Sequence, residues 1–415
     1  MSLNVSRGRL IQILLMGFVF FIPISTALMN LFLYLSLILI IVNKNFIKNI
    51  QYSWNNITSK YSTIFFILII FGSFYSIANY RDIIEGISTY KKFIFIILIL
   101  PYLVHNKLNK SLINTFIVSM GLILTLVYSI HLNIIDPINI KLSGNIYLRI
   151  SEHGGFKTHI ITNMLFAFSG FLAIHKFIDL NKIVYLVLGS LTFYYAIFIN
   201  DGTTGQILSI SLLSVLIVQK FKRKSFFILP LVILGIFTYG ATNVNTSIYG
   251  AIEKIHKGVS NYNNNLTNGS INIRMLMAKN GLIIVKQNPW MGTGTGSISQ
   301  AHILYANKLS KEFKTYIRTK GAGNPHSEYL SILIQFGIFG LALYLFFIYK
   351  LFDYTKQLPN NFYVYSAQGL LVFIVIGSIG TPIISDSGEG HFIMIFIAIL
   401  FAPLLRKLKP LHEKI

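Results

Sequence analysis

The segment "GAGNPHSEYLSILIQFGIFG", residues 321–340, places ionisable side chains at the start of an apolar run. Pro325 disfavours helical geometry at the residue before it, so a helix is predicted to begin here with Asn324 near its N-cap. The positive end of a helix disfavours imidazolium, which predicts a neutral His326 that could deprotonate a hydroxyl group as a general base. Taken alone, this histidine is explained more simply as a cap residue that binds water or lipid headgroups.

Basic residues elsewhere could bind an anionic substrate. Arg274 opens a segment with amphipathic helical spacing, 272–290, and a guanidinium binds phosphate through paired hydrogen bonds. The stretch "YLRISEHGGFKTHI", 147–160, groups further ionisable residues before a predicted membrane span, among them Arg149, Lys157 and His159. The alternative for each of these residues is an exposed surface charge or a juxtamembrane anchor.

Other polar motifs favour no metal or nucleotide site. "SDSGEGH", 385–391, contains Asp386 and a histidine, but the spacing matches no standard set of metal ligands. "GTGTGS" lacks the Gly-Lys-Ser/Thr ending and the preceding strand of a phosphate-binding loop. Cysteine is absent, which excludes disulfides and thiolate chemistry.

Composition predicts an all-α integral membrane protein. Of the 415 residues, 54% are hydrophobic and only 12% are charged, which is too apolar for a soluble protein. Twelve segments are apolar and long enough to be candidate spans, the fourth and eighth being short: 9–25, 27–43, 62–79, 92–105, 112–133, 158–175, 183–199, 204–219, 225–242, 327–350, 361–383 and 390–405. The basic residues are split among many short loops, so nucleic acid is not expected as a partner.

The loops alternate in charge, and the positive-inside rule places the short basic loops and both termini in the cytoplasm. The chain then divides into helices 1–9 (1–242), a large outer loop with amphipathic helices (243–325), and helices 10–12 with a cytoplasmic tail (326–415). The topology rule does not explain why the outer loop is basic. An anionic ligand explains it, and so does a loop whose charges are simply solvated.

The motif around His326 resembles the signature of the O-antigen ligases and the related O-antigen polymerases. "HSEYLSILIQFGIFG" fits this signature, with its fixed positions at His326, Ser327, Gly337 and Gly340. The preceding "RMLMAKNGLIIVKQNPWMGTGTGS" is similar to the segment that precedes the signature in that family. Two positions depart from the family pattern: Gln335 stands where an acid is common, and Thr203 stands where an arginine is.

The resemblance implies an inverting, metal-independent glycosyltransferase, without a cofactor, at the periplasmic face of a bacterial inner membrane. It would move a glycan from undecaprenyl pyrophosphate to a sugar hydroxyl of the lipid A core, with membrane lipids as further partners. His326 would be the base, and the pyrophosphate would bind Arg274, Arg149 and Lys157. Supporting roles are expected for Asn324, Ser327, His159 and Asp386.

Three alternatives remain open at this point. An O-antigen polymerase or a protein O-oligosaccharyltransferase would use the same donor and chemistry. One dominant outer loop favours the ligase, since polymerases more often have two sizeable loops. A transporter or flippase would show related halves and charged or broken helices near the middle of the membrane. In this sequence the ionisable residues cluster in outer loops instead.

Overall fold

The computed structural model describes residues 2–105, 108–143, 146–263, 270–305, 315, 317 and 323–405. Its described part is built almost entirely of helices. The α-helices are α1 (Ser2–Phe21), α2 (Thr26–Ile41), α3 (Phe46–Trp54), α4 (Ile57–Ser73), α5 (Tyr80–Tyr90), α6 (Lys92–His105), α7 (Asn109–His131), α8 (His159–Leu180), α9 (Ile183–Tyr194), α10 (Thr203–Phe221), α11 (Ser225–Thr242), α12 (Ser247–Asn263), α13 (Ser270–Gln287), α14 (Ile298–Tyr305), α15 (Glu328–Thr355), α16 (Asn361–Gly380) and α17 (Ser387–Leu405). A π-helical turn, Tyr195–Ile199, extends α9, and a 3-10 turn, Lys222–Lys224, joins α10 to α11.

Every one of the twelve segments predicted to span the membrane contains a helix, although 9–25 and 62–79 extend past the ends of α1 and α4. Among the described residues, six helical stretches are long and apolar enough to cross a membrane, and α2 with α3 makes a seventh if that pair, bent by 105°, is one span. One of the six, Thr203–Thr242, joins two segments that were predicted as separate spans. The all-α class is therefore confirmed, and the number of twelve crossings stays a prediction.

Helix α17 lies at the centre of the bundle. Its window of highest hydropathy is 94% buried, and it packs against α6 and α16. A helix that is apolar on all sides can face lipid or protein, and this one is surrounded by other helices. The polar residues at its outer end, Glu389 and His391, are consequently enclosed by protein.

An antiparallel hairpin, β1 (Ile138–Ser143) and β2 (Ile146–Ile150), stands in the outer loop before α8. The sequence analysis treated this region as a loop, because each strand is only five or six residues long and only β1, INIKLS, alternates cleanly between apolar and polar residues. Asn139 pairs with Arg149 across the hairpin.

The large outer loop contains the helices that the sequence predicted in it, α12 and α13. The sequence of 301–320, AHILYANKLSKEFKTYIRTK, also predicts a basic helix; its start lies in α14, and most of its remainder lies outside the described residues. Part of the apolar side of α13 packs on protein. Its Ile284 forms a buried cluster with Ala301 of α14 and with Leu330 and Ile334 of α15. The amphipathic spacing also predicts a position near the membrane surface, and this stays a prediction.

A break in α15 joins this loop to the bundle. Gly337 has φ 63° and ψ −159°, so the helical hydrogen bonds that would span it are not made. The carbonyls of Ile334 and Gln335 accept the N–H groups of Thr293 and Gly294 instead, at 2.8 Å each. Beyond the break, the N–H groups of Ile338 and Phe339 donate to two other loop carbonyls, those of Pro289 (2.8 Å) and Trp290 (3.3 Å). The segment 289–294 is thus inserted into the helix through four backbone bonds.

Replacing Gly337 by alanine is expected to destabilise the protein by roughly 1–3 kcal/mol, because an L-residue is strained at this positive φ. The new Cβ would also collide with the backbone of Trp290. The measurement is thermal unfolding of the purified protein in detergent. Gly235→Ala is the matched control, since a Cβ there meets no atom within 4 Å. Equal unfolding temperatures for Gly337→Ala and the wild type would contradict this account.

Candidate functional site

His326 sits in a tight turn immediately before α15. Its φ is 57°, in the left-handed region, and its N–H donates to the Asn324 side-chain oxygen at 2.7 Å. Ser327 is the N-cap: its Oγ accepts the Leu330 N–H at 3.5 Å and its hydroxyl donates to the Ser378 carbonyl at 3.0 Å. The predicted cap was therefore placed three residues too early. Asn324 closes the turn, and Ser327 both caps α15 and ties it to α16.

His326 and Arg274 are close enough for their charges to interact. Burial lowers the pKa of His326, and the nearby Arg274 guanidinium lowers it further. This lowered pKa agrees with the neutral imidazole that the sequence predicts. The cause is different, because burial and a neighbouring cation act here rather than the helix end alone.

A cationic cluster forms around Arg274, which is half-buried and whose Nε has no hydrogen-bond partner in the described structure. His159, at the start of α8, is within electrostatic range of Arg274, Lys254 and His153, with Asp201 as the opposing charge. The structure thus brings together three predicted residues, His326, Arg274 and His159. Lys254 was missed, although the amphipathic spacing of 249–258 placed it on a helix of the same loop.

Lys157 belongs to a different group. Its ammonium donates to the Thr26 hydroxyl. Burial lowers its pKa, and the Glu389 carboxylate acts in the opposite direction. The structure therefore places this predicted phosphate ligand beside the first turn of α17. The side chain of Arg149 lies outside what the structure describes.

Sequence reasoning also missed a buried charge network next to the His326 turn. Glu328 is fully buried, and its carboxylate accepts the N–H groups of Ile384 (2.9 Å) and Ser385 (3.2 Å). Lys92 is only 3% exposed, and its ammonium donates to the carbonyls of Ile384, Ser385 and Asp386 at 2.7–3.1 Å. Each residue alone reads as an ordinary helix-end charge, and only the folded chain brings them to the same turn.

Three carboxylates surround the Lys92 ammonium electrostatically: those of Glu328, Asp386 and Glu389. Burial raises the pKa of Asp386, and the charge of Lys92 opposes this. A buried cation and buried anions stabilise one another only while all are present. The network therefore fixes the turn 384–386 against the beginning of α15.

A cavity of about 410 Å³, here called the acidic cavity, opens beside this turn. Its walls carry three carboxylates, Asp82, Glu85 and Asp386, and it reaches the His326 turn through Asn324 and Pro325. Carboxylates that line a cavity can accept hydrogen bonds from sugar hydroxyls. Two predicted residues, Asn324 and Asp386, thus share one cavity next to the candidate base.

Gln335 forms the floor of the acidic cavity and explains one departure from the family pattern. Its Nε2 donates to the Tyr90 hydroxyl at 3.3 Å, and its Oε1 accepts the Gly296 N–H at 2.8 Å. A carboxylate could accept the second bond but could not donate the first.

Among the described residues, no group of three or more His, Asp or Glu side chains could hold a metal ion.

Comparison with known proteins identifies the segment that contains this site. The family model described as O-antigen ligase matches residues 187–345, a range that includes Arg274, His326 and the Gly337 break. The match confirms the resemblance seen in the sequence. A Haemophilus influenzae protein described as uncharacterized is 28% identical over 139 residues, which is 32% of this chain. That alignment spans about a third (34%) of the relative's length.

Lys92→Met is expected to destabilise the protein by about 3–5 kcal/mol, because it leaves buried carboxylates without their cation. Lys91→Met is the matched control, since the neighbouring lysine is only half-buried and rests on the Tyr34 ring at 5.4 Å. Thermal unfolding in detergent compares the two variants. The network would have no structural role if both variants unfolded at the same temperature.

Proposed function

Because residues 187–345 carry an O-antigen ligase domain, we propose that the chain is an O-antigen ligase. It transfers the glycan of an undecaprenyl-pyrophosphate donor to a sugar hydroxyl of the lipid A core. The observation that carries the proposal is the pairing of a half-buried histidine with an arginine in one site. The proposed setting is a bacterial inner membrane, with the site on the periplasmic side and both termini in the cytoplasm.

His326 acts as the general base in this mechanism. As the acceptor hydroxyl attacks the anomeric carbon, its proton moves to the imidazole and the new glycosidic C–O bond forms. The bond from that carbon to the pyrophosphate breaks on the opposite face, and the electron pair leaves with the lipid pyrophosphate. The anomeric configuration is therefore inverted. The lowered pKa of His326 supports this role, since the base must be neutral to accept the proton.

Arg274 stabilises the leaving pyrophosphate. Negative charge grows on the leaving group in the transition state, and fixed cations in a dry site lower that barrier. Lys254 and His159 are further donors in the same cluster. Arg149 and Lys157 remain predicted ligands of the donor. In this proposal the site uses no metal or cofactor.

The chain keeps its proposed division into membrane helices 1–9 (1–242), a periplasmic loop (243–325), and membrane helices 10–12 with a cytoplasmic tail (326–415).

The pH dependence of transfer should report His326. Its lowered pKa means that kcat/KM for the acceptor stays level at neutral pH and falls only below about pH 6.5, where the free imidazole ordinarily protonates. Arg274→Gln removes one of the two influences that lower this pKa, so the acid limb should move to higher pH while the rate falls. The measurement is the pH profile of purified protein in nanodiscs. An acid limb that moves to lower pH in Arg274→Gln would contradict the assignment.

The cellular test is a lipopolysaccharide gel of cells that lack this gene, complemented at matched expression. Wild type should restore the O-antigen ladder, and His326→Ala should lower transfer by about 10²–10⁴-fold, the usual contribution of a general base. Lipid-linked polymer should accumulate in that strain. His256→Ala, an exposed histidine of α12, is the control and should restore the ladder.

Two results would redirect the proposal. A core that carries a single repeat unit in the null strain identifies a polymerase. A normal ladder in every strain, including the null, excludes both lipopolysaccharide activities and leaves protein glycosylation or transport.

A further inference from the structure

A second cavity adjoins the acidic cavity and has the opposite charge. It lies between α2, α5 and the outer end of α17 and has a volume of about 470 Å³. Three residues line both cavities, namely Glu85, Thr89 and Ser385. We call the second cavity the basic cavity, because three cationic side chains line it: Arg81, Lys91 and Lys92.

Two of these cations are available to a ligand. Lys92 directs its ammonium to three backbone carbonyls, so its donors are occupied. Arg81 is exposed, Lys91 is half-buried, and among the described residues neither forms an ion pair. Glu85 lines the cavity too, but it is not within ion-pair distance of either. An anion could therefore bind both without breaking an existing ion pair.

A buried acceptor without a partner lies in the wall of the same cavity. His391 is 5% exposed, and its ring is held against Phe95 and Phe18. Its Nδ1 lies 2.5 Å from the Ser387 carbonyl, which can only accept, so Nδ1 carries the proton. Its Nε2 is then an acceptor, and it has no partner in the described structure. Such a group is costly to leave unpaired, and a ligand hydroxyl would satisfy it.

We infer that the basic cavity binds a sugar that carries an anionic group, a phosphate or a carboxylate. Arg81 and Lys91 bind the anion, and His391 Nε2 accepts a hydroxyl hydrogen of the sugar. This inference rests on the proposed function, and it identifies the acceptor as an anionic glycan that extends from the acidic cavity into the basic one.

The donor pyrophosphate is a poorer occupant. The cations that interact with His326 and His159, Arg274 and Lys254, belong to another cluster. From the basic cavity, the His326 turn is reached by way of the acidic cavity, through Asn324 and Pro325. The carboxylates there repel a pyrophosphate but accept hydrogen bonds from the hydroxyls of a neutral sugar ring.

The direct test is equilibrium binding of glucose 6-phosphate, glucuronate and glucose to the full chain in nanodiscs, without any donor. Wild type should bind at least one of the two anionic sugars at least tenfold more tightly than glucose, and the better probe tells phosphate from carboxylate. Arg81→Gln and Lys91→Gln should each remove most of this preference and leave the unfolding temperature unchanged. Lys286→Gln, an exposed cation of α13 away from the cavity, is the control and should keep it. Equal affinity of wild type for all three sugars would overturn the inference, as would a preference that survives both cavity variants.

Transfer kinetics separate this inference from the proposed function. With an acceptor before and after removal of its anionic groups, Arg81→Gln should raise KM about tenfold for the anionic form only, with kcat unchanged. If His326→Ala abolishes transfer and Arg81→Gln leaves KM unchanged, the ligase assignment stands and the cavity assignment fails. If wild type shows no transfer but the binding preference depends on Arg81, the cavity assignment stands, and the ligase assignment fails because the protein has another activity.

Discussion

The exchange of backbone hydrogen bonds at Gly337 is the interaction on which the site depends. A regular helix would use the Ile334 and Gln335 carbonyls for its own N–H groups four residues further on, at positions 338 and 339. Here the positive φ of Gly337 separates these groups, and the segment 289–294 satisfies both sides of the break. Two helical bonds are replaced by four bonds to the loop. The break therefore leaves none of these four backbone groups unpaired, which is the condition for irregular backbone inside a helical bundle.

This junction helps to position the two side chains of the candidate site, His326 and Arg274. Arg274 is on α13, whose end leads directly into the inserted segment, and His326 is just before the outer end of α15. Leucine and isoleucine packing between the two helices fixes their spacing. On the other side of His326, Glu328 and Lys92 fix the turn 384–386, so His326 is held between a docked loop and a buried charge network. The docked loop and the charge network both act through residues that neighbour His326 in the chain or in space.

The sequence was sufficient for the features that depend on local pattern. The length of the apolar segments predicted the helices, and the amphipathic spacing of residues 272–290 predicted α13. The motif at 326–340 indicated the family resemblance that the family model bears out, and it singled out His326, while Arg274 was singled out in the segment that precedes it. The partners of Glu328 and Lys92 could not be predicted, because they are 56 and more than 290 residues away in the chain. Lys157 was assigned to the donor for its charge alone, and its position beside Glu389 is decided by the packing of α17. The hairpin before α8 was missed because its strands are short.

The docking of the loop by main-chain atoms has a consequence for how this protein can diversify. The four bonds at the break involve only N–H and C=O groups, which every residue except proline supplies. Apart from Thr293, whose buried hydroxyl also donates to the Ile334 carbonyl at 2.9 Å, side chains in the inserted segment can therefore be exchanged without breaking these bonds, provided that the glycines with positive φ remain. The composition of this segment could therefore change during evolution while the position of His326 relative to Arg274 is preserved.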